Sequence, residues 1–298
     1  MNTSVPEIQE KNRIIGGTLY LVATPIGNLA DLSERGLKVL REVDFIAAED
    51  TRNTLKLLTH FGIQKPLVSY HEHNKRERGE QIARRLKSGE SCALVTDAGT
   101  PAISDPGEDL VALCAAYQIP VTSVPGCCAA VTALTLSALP TRRFVFEGFL
   151  EPDKKARRNQ LADLAKERRT FILYEAPHRL VDTLEELLSA LGDRRIALCR
   201  ELTKLNETVE RMTLSGAVAH YKENAPRGEY VLVIEGANQV VSENFWDNLT
   251  IPEHVEHYIA EGRSRMDAIK QTARDRGVGK SVVYNAMEEA KAVEEDEE

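Results

Sequence analysis

From Gly17 onward, short apolar runs alternate with helical patterns. TLYLVA (18–23) reads as a strand and SERGLKVLRE (33–42) as the helix after it. DFIAAED and TLKLLTHFG repeat the pair, and Gly62 closes the second helix as a residue free to adopt positive φ. PLVSY, then RERGEQIARRLKSG, then SCALVTD, PVTSVPG and CCAAVTALTLSAL continue the series. Strands alternating with helical segments predict a mostly parallel sheet covered by helices, an α/β architecture.

A second half begins near Phe144. RFVFEGF predicts a strand and 154–169 a helix. RTFILYEA and RRIALCRE predict central strands, with HRLVDTLEELLSALG as an amphipathic helix between them. ETVERMTL alternates apolar and polar positions as antiparallel strands do, and EYVLVIEG is a further strand. Residues 237–250 are polar and read as a linker. Beyond them, 255–291 read as short helices broken at Gly262 and at Gly277–Gly279.

Composition narrows the class. The chain has 298 residues, 42% hydrophobic and 28% charged, which fits a globular enzyme of more than one domain. No apolar stretch reaches the ~18 residues needed to span a bilayer, and MNTSVPEIQEKNR has no apolar core of the kind a secretory signal carries. Cys92, Cys114, Cys127, Cys128 and Cys199 are odd in number and lack C-x-x-C spacing. A disulfide framework or zinc site is therefore not expected, and a cytoplasmic location is. The net charge of −8 hides a pattern. The last five residues, EEDEE, form an acidic tail, whereas 154–169 and 263–280 carry local charges of +5 and +4. Such islands are either solvated helix faces or a footprint for a polyanion.

The loop in LVTDAGTPAISDPG (94–107) is small and constrained and follows a buried strand. Asp105 as N-cap, Pro106 at N1 and Glu108 at N3 predict a capping box. With little side chain at Ala98 and Gly99, a flat ligand could reach their main chain. Gly27 and Gly126 occupy similar strand-to-helix junctions, and ligands of open α/β sheets bind at such strand ends. Neither G-x-x-x-x-G-K-[ST] nor G-x-G-x-x-G after the first strand is present, which disfavours ordinary nucleotide and dinucleotide sites. The polar candidates at strand ends are Glu49–Arg52, His71–His73, Glu175, His178, Arg179, Glu201 and Lys204. Scaffold roles compete at each: Asp50 and His178 as caps, Arg52 paired with Glu49 or Glu72, and Glu201 with Lys204 as an interdomain ion pair. His71-x-His73 has a spacing compatible with a metal, but no third ligand pattern accompanies it.

Taken in order, LYLVATPIGNLADLSERGLKVLREVDFIAAEDTRNT, SYHEHN, LVTDAGTPAISDPG, VPGCCAAVTAL, FVFEGFL, LYEAPHRL, RELTKLNET and RGEYVLVIEG resemble the ribosomal small-subunit RNA (cytidine-2′-O)-methyltransferases, a branch of the tetrapyrrole methylase superfamily. The resemblance covers roughly Gly17 to Gly236. It implies two α/β domains of the tetrapyrrole-methylase type with an S-adenosylmethionine cleft between them, a small C-terminal helical domain, a homodimer, and no metal. The expected boundaries are 14–140 and 141–238 for the two α/β domains, 239–250 for the linker, 251–292 for the helical domain and 293–298 for the tail. The resemblance places cofactor contacts at Pro25, Ala98, Gly99, Thr100, Ile103, Cys128 and Ala129. Relatives often have proline where Cys127 stands and an acid where Thr100 stands.

A ribose hydroxyl acceptor needs alignment with the methyl donor, worth ~7–11 kcal/mol, and help with its proton, worth about 10²–10⁴-fold. Asp50, Arg52, His71, Glu175 and Arg179 are the expected acceptor-side residues. Lys154, Lys155, Arg157, Arg158, Arg265 and Arg274 are the expected contacts to small-subunit ribosomal RNA, naked or in an assembled subunit. Two other readings stand beside this one: a tetrapyrrole methyltransferase of the same fold, and a non-catalytic binding or assembly protein.

Overall fold

The structure, a computed structural model, describes residues 12–237, 245–247 and 249–296, with side chains described as far as 290. It divides into two units, 1–237 and 238–298.

In the first half of the larger unit, four-residue apolar runs form strands because both faces of a parallel sheet are covered. These are β1 (Leu19–Val22), β2 (Phe45–Ala48), β4 (Cys92–Val95) and β5 (Val121–Val124), with the shorter β3 (Leu67–Ser69) at one edge. The order is β3-β2-β4-β1-β5 and every pairing is parallel. Helices α1 (Glu34–Glu42), α2 (Thr51–His60), α3 (Lys75–Lys87) and α4 (Gly107–Ala116) make the crossovers. Gly62 follows the C-cap of α2 with φ +63°, as expected. All the carboxyl ends lie along one rim of the sheet, so the loops after β1, β2, β4 and β5 share it.

The second half is a mixed sheet in the order β6-β7-β10-β8-β9. Its strands are β6 (Phe144–Gly148), β7 (Thr170–Glu175), β8 (Arg195–Arg200), β9 (Thr208–Thr213) and β10 (Tyr230–Ile234). Only β6 and β7 run parallel. The fully buried β10 lies in the middle, antiparallel to both β7 and β8, and the two strands expected to be central are interior strands on either side of it. Helix α6 covers only Lys154–Leu164, shorter than the basic island that predicted it. Helix α7 is Leu180–Leu191. A helix not anticipated, α8 (Leu214–Glu223), follows β9, capped by the Thr213 side chain accepting from Gly216 N. Its stripe of Leu214, Ala217, Val218 and Tyr221 has the i, i+3, i+4, i+7 spacing that would have revealed it.

Helix α5 (Ala129–Leu136) ties the halves together. By sequence it closes the first sheet, yet Ala130, Ala133 and Leu134 pack with Ile172, Ala197, Cys199, Val231 and Val233 of the second. The two sheets consequently form a single compact unit.

The smaller unit is a bundle of α9 (Ile251–Ala260), α10 (Arg265–Asp275) and α11 (Lys280–Asp296) around Val255, Tyr258, Ile269, Val283 and Met287. Thr250 and Glu253 form a capping box at its start. Most of the expected linker lies outside the described residues, as do the side chains of the acidic tail, although the backbone of α11 continues to Asp296.

Candidate functional site

A cavity of about 660 Å³ opens between the rim of the first sheet and the second sheet. The loops after β4 and β5 and the N-terminus of α5 form one wall; Tyr174, Leu202 and Val231 lie on the other.

The 94–107 loop is held more tightly than its sequence suggested. Gly99, at φ +87°, pairs with Thr24 through Thr24 N to Gly99 O (2.9 Å) and Gly99 N to Thr24 O (3.0 Å). Its amide and carbonyl are thus spent on pinning the loop to the end of β1 instead of standing open to a ligand. The Thr100 hydroxyl donates to Cys127 O at 2.8 Å and fixes the next loop. The expected capping box does not form. Helix α4 begins at Gly107 with Pro106 (φ −60°, ψ −10°) flanking it, and no reciprocal bond from the Glu108 side chain closes the box. The Asp105 carboxylate instead accepts from Ala102 N (3.0 Å) and Gly107 N (2.7 Å), cinching the loop. Ala102 and Ser104 adopt positive φ within it, and Glu201 and Thr203 do so in the loop after β8. Non-glycine residues reach that region at a cost, and such strain gathers where a structure is shaped for a ligand.

Ala98, Gly99, Thr100, Ile103, Cys128 and Ala129 all border this cavity. Pro25 does not; it lines a neighbouring groove, while the adjacent Ile26 faces the cavity. The acceptor-side residues divide more sharply. Glu175 borders the cavity, but its side chain is only 1% exposed and accepts from Thr183 Oγ1 (2.6 Å) and Ala176 N (2.8 Å). Arg179 sits 3.7 Å from Glu175, outside the cavity lining. Asp50 is the N-cap of α2 and is gripped by Arg52, whose Nη2 lies 2.7 Å from Oδ2. That guanidinium holds the Asp50 carboxyl down at about 2. Arg52 therefore pairs with Asp50 and not with Glu49 or Glu72. His71 packs against Asn74, its Nε2 3.2 Å from Nδ2 and its Nδ1 buried without a partner, and it too lies off the cavity. Ala176, not His178, occupies the N-cap of the turn at 177–179, without a side-chain cap bond. Among the described residues no group of His, Cys, Asp and Glu is arranged to hold a metal.

Glu201 and Lys204 do form an ion pair (3.0 Å), joined by Glu229 at 3.2 Å. All three belong to loops of the second sheet, so the pair is not the interdomain bridge expected. The Lys204 side chain nevertheless crosses the halves, lying directly over Gly27, where no Cβ could fit. Glu49, one of the strand-end candidates, and Asp97, which was not among them, both stand on the cavity wall. Asp97 accepts from Asp50 N (3.2 Å) and Asn53 Nδ2 (3.3 Å), while Glu49 accepts from Thr96 Oγ1 (2.8 Å). Burial and the Glu49 charge push the Asp97 carboxyl above its ordinary pKa. Its position at the end of β4 was the available signal.

Of the basic residues on α6, Lys154, Lys155 and Arg158 are exposed. Arg157 is drawn against α7 by Glu186 and by Thr183 Oγ1 at 2.9 Å, which leaves it less free for RNA than expected. In the helical unit Arg274 is exposed and Arg265 lies 3.5 Å from Glu288.

Residues 18–218 match the family of Tetrapyrrole (Corrin/Porphyrin) Methylases. Over 271 residues, 90% of this chain and 94% of the relative, the chain is 52% identical to ribosomal RNA small subunit methyltransferase I of Halalkalibacterium halodurans. The chain belongs to that family of methyltransferases. The Bacillus subtilis member is 49% identical over 273 residues, 91% of this chain and 94% of its own. At the level of fold, a uroporphyrin-III C-methyltransferase from Thermus thermophilus, solved with S-adenosylhomocysteine, superposes with a TM-score of 0.51 at 20% identity. That likeness covers 72% of this chain and 96% of the other. No helix among the described residues of this methyltransferase is long and apolar enough to cross a membrane.

Proposed function

We propose that this methyltransferase uses S-adenosylmethionine to methylate the ribose 2′-hydroxyl of a cytidine in small-subunit ribosomal RNA, as a cytoplasmic homodimer. The observation that carries the reading is the cavity itself, in a chain about half identical to methyltransferases named for that RNA. Its walls suit the donor. Glu49, Asp97, Asp105, Glu175, Glu201 and Glu229 line it against one cation, Lys204, an electrostatic setting that favours a sulfonium. The N-terminus of α5 at Cys128 and Ala129 carries the partial positive charge that suits the donor's carboxylate. Ile26, Tyr174, Leu202 and Val231 offer apolar area to an adenine.

When bound, the sulfonium supplies an activated methyl group, so no metal is needed. What remains for the protein is position. Loops pinned at Gly99–Thr24 and Thr100–Cys127 fix the donor side, and rigid fixation is where most of the advantage of an aligned transfer arises. The exposed Lys154, Lys155 and Arg158 hold RNA by its phosphates without reading sequence. Arg265 and Arg274 of the helical unit add to the same polyanion affinity. The test is nucleoside mass spectrometry on ribosomal RNA from cells lacking and regaining the enzyme. Restored 2′-O-methylcytidine supports the reading; an unchanged nucleoside profile defeats it.

A further inference from the structure

Two cavities meet at Asp97. It and Thr96 border the main cavity and also a groove of about 440 Å³ between the loop after β1 and helix α2. The two spaces differ in charge. The main cavity holds six carboxylates against one lysine, so a phosphodiester is repelled from it. In the groove Lys56 and His60 stand on α2, and Asp97 is the one acid on its walls. Neither Lys56 nor His60 has a carboxylate partner among the described residues. Pro25, Leu29 and Leu57 give apolar surface on which a sugar or base face can lie. The size falls within the roughly 300–1,000 Å³ of small-ligand sites.

We propose that this groove seats the acceptor ribose–phosphate of single-stranded RNA, its phosphate at Lys56 and His60, and that Asp97 accepts the proton of the reacting ribose hydroxyl. The inference rests on the ribosomal RNA reading above and deepens it. Geometry singles out Asp97 among the nearby acids. Asp50 is neutralised by Arg52, and Glu49 is turned to Thr96. Asp97 is oriented by two neutral donors from the first turn of α2, which leaves lone pairs for a hydroxyl. Its raised basicity favours the transfer. In the step, the methyl carbon–sulfur bond breaks and its electron pair returns to sulfur. The ribose oxygen forms the new carbon–oxygen bond, and its proton passes to the Asp97 carboxylate and then to water. The sulfonium charge and the carboxylate charge are lost together, so the balance closes.

The test uses full-length enzyme, S-adenosylmethionine and small ribosomal subunits from cells lacking the enzyme, with donor affinity from calorimetry. Asp97→Asn is expected to weaken donor binding by less than about tenfold, as one of six lining acids is neutralised, while it lowers kcat about 10²–10⁴-fold and loses the acid limb of its pH profile. Lys56→Glu is expected to raise the KM for subunits about tenfold or more with kcat nearly unchanged, and to flatten the salt dependence by about one phosphate contact. Asp97→Asn with kcat within threefold of the wild type would overturn the proposal. So would loss of donor binding in parallel with kcat, or Lys56→Glu with an unaltered KM and salt slope. A wild-type enzyme that leaves the RNA unlabelled would instead overturn the reading on which the proposal rests.

Discussion

Glu175 is the expected acceptor-side residue whose structural surroundings argue most strongly for another task, and Glu175→Gln separates the two. The carboxylate ends β7 and receives Thr183 Oγ1 from α7 and the amide of Ala176, with Arg179 close by. Thr183 in turn receives Arg157 from α6, so one buried acid joins three elements. Glutamine keeps the volume and one acceptor oxygen but turns an N–H₂ toward a donor. One charge-assisted bond is lost, and such bonds contribute about 1.5–3 kcal/mol each. For a unit of this size 1 kcal/mol shifts Tm by about 2–4 °C, so a fall of about 3–12 °C is expected. Thermal unfolding gives the shift, and labelled-methyl transfer at a temperature well below it gives kcat, which should stay within about threefold. An unshifted Tm with kcat reduced a hundredfold would refute the reasoning and return Glu175 to the chemistry.

Three further outcomes follow from the geometry. A Cβ at Gly126 would lie 2.8 Å from that of Ala23, so Gly126→Ala should push the loop after β5 from the end of β1 and weaken donor binding about tenfold by calorimetry; an unchanged Kd would contradict this. Lys154→Glu with Arg158→Glu should weaken subunit binding and reduce its salt slope by about two contacts, whereas an unaltered slope would remove α6 from the RNA footprint. In the helical unit, burial and the neighbouring Arg276 hold the His254 imidazole below its usual pKa, against the smaller pull of Asp275. Below about pH 6.5 the unfolded chain takes up the proton more readily than the folded one, so this contribution to stability is complete above that pH and lost as pH falls. Trp246, the single tryptophan, stacks on His254 at 4.9 Å and reports the unfolding by fluorescence. His254→Phe should flatten the pH dependence, and an equally steep dependence would acquit His254.

The strands of the first sheet were legible because each is an apolar run covered on both faces, and the helices between them carry their own stops, such as Gly62. The motif order carried the resemblance, and the cavity gathers most of the residues it indicated, including Ala98, Ile103 and Cys128. What stayed hidden was how polar groups are spent. That Gly99 uses its amide on Thr24 is decided across 75 residues of chain, and no local pattern records it. Arg157 looks like any other cation of its island until α7 packs beside it and Glu186 takes it. Asp50 and Asp97 are indistinguishable as letters, yet one caps α2 and is neutralised by Arg52 while the other stands between two cavities. Helix α8 is different: its stripe has a helical period, but it directly follows the alternating pattern of β9 with no break between them.

The most direct test of the central claim is to incubate the purified enzyme with labelled S-adenosylmethionine and small ribosomal subunits lacking the modification, digest the RNA to nucleosides, and locate the label by mass spectrometry. The account predicts label in 2′-O-methylcytidine alone. Label on a base, or none in RNA, would contradict it.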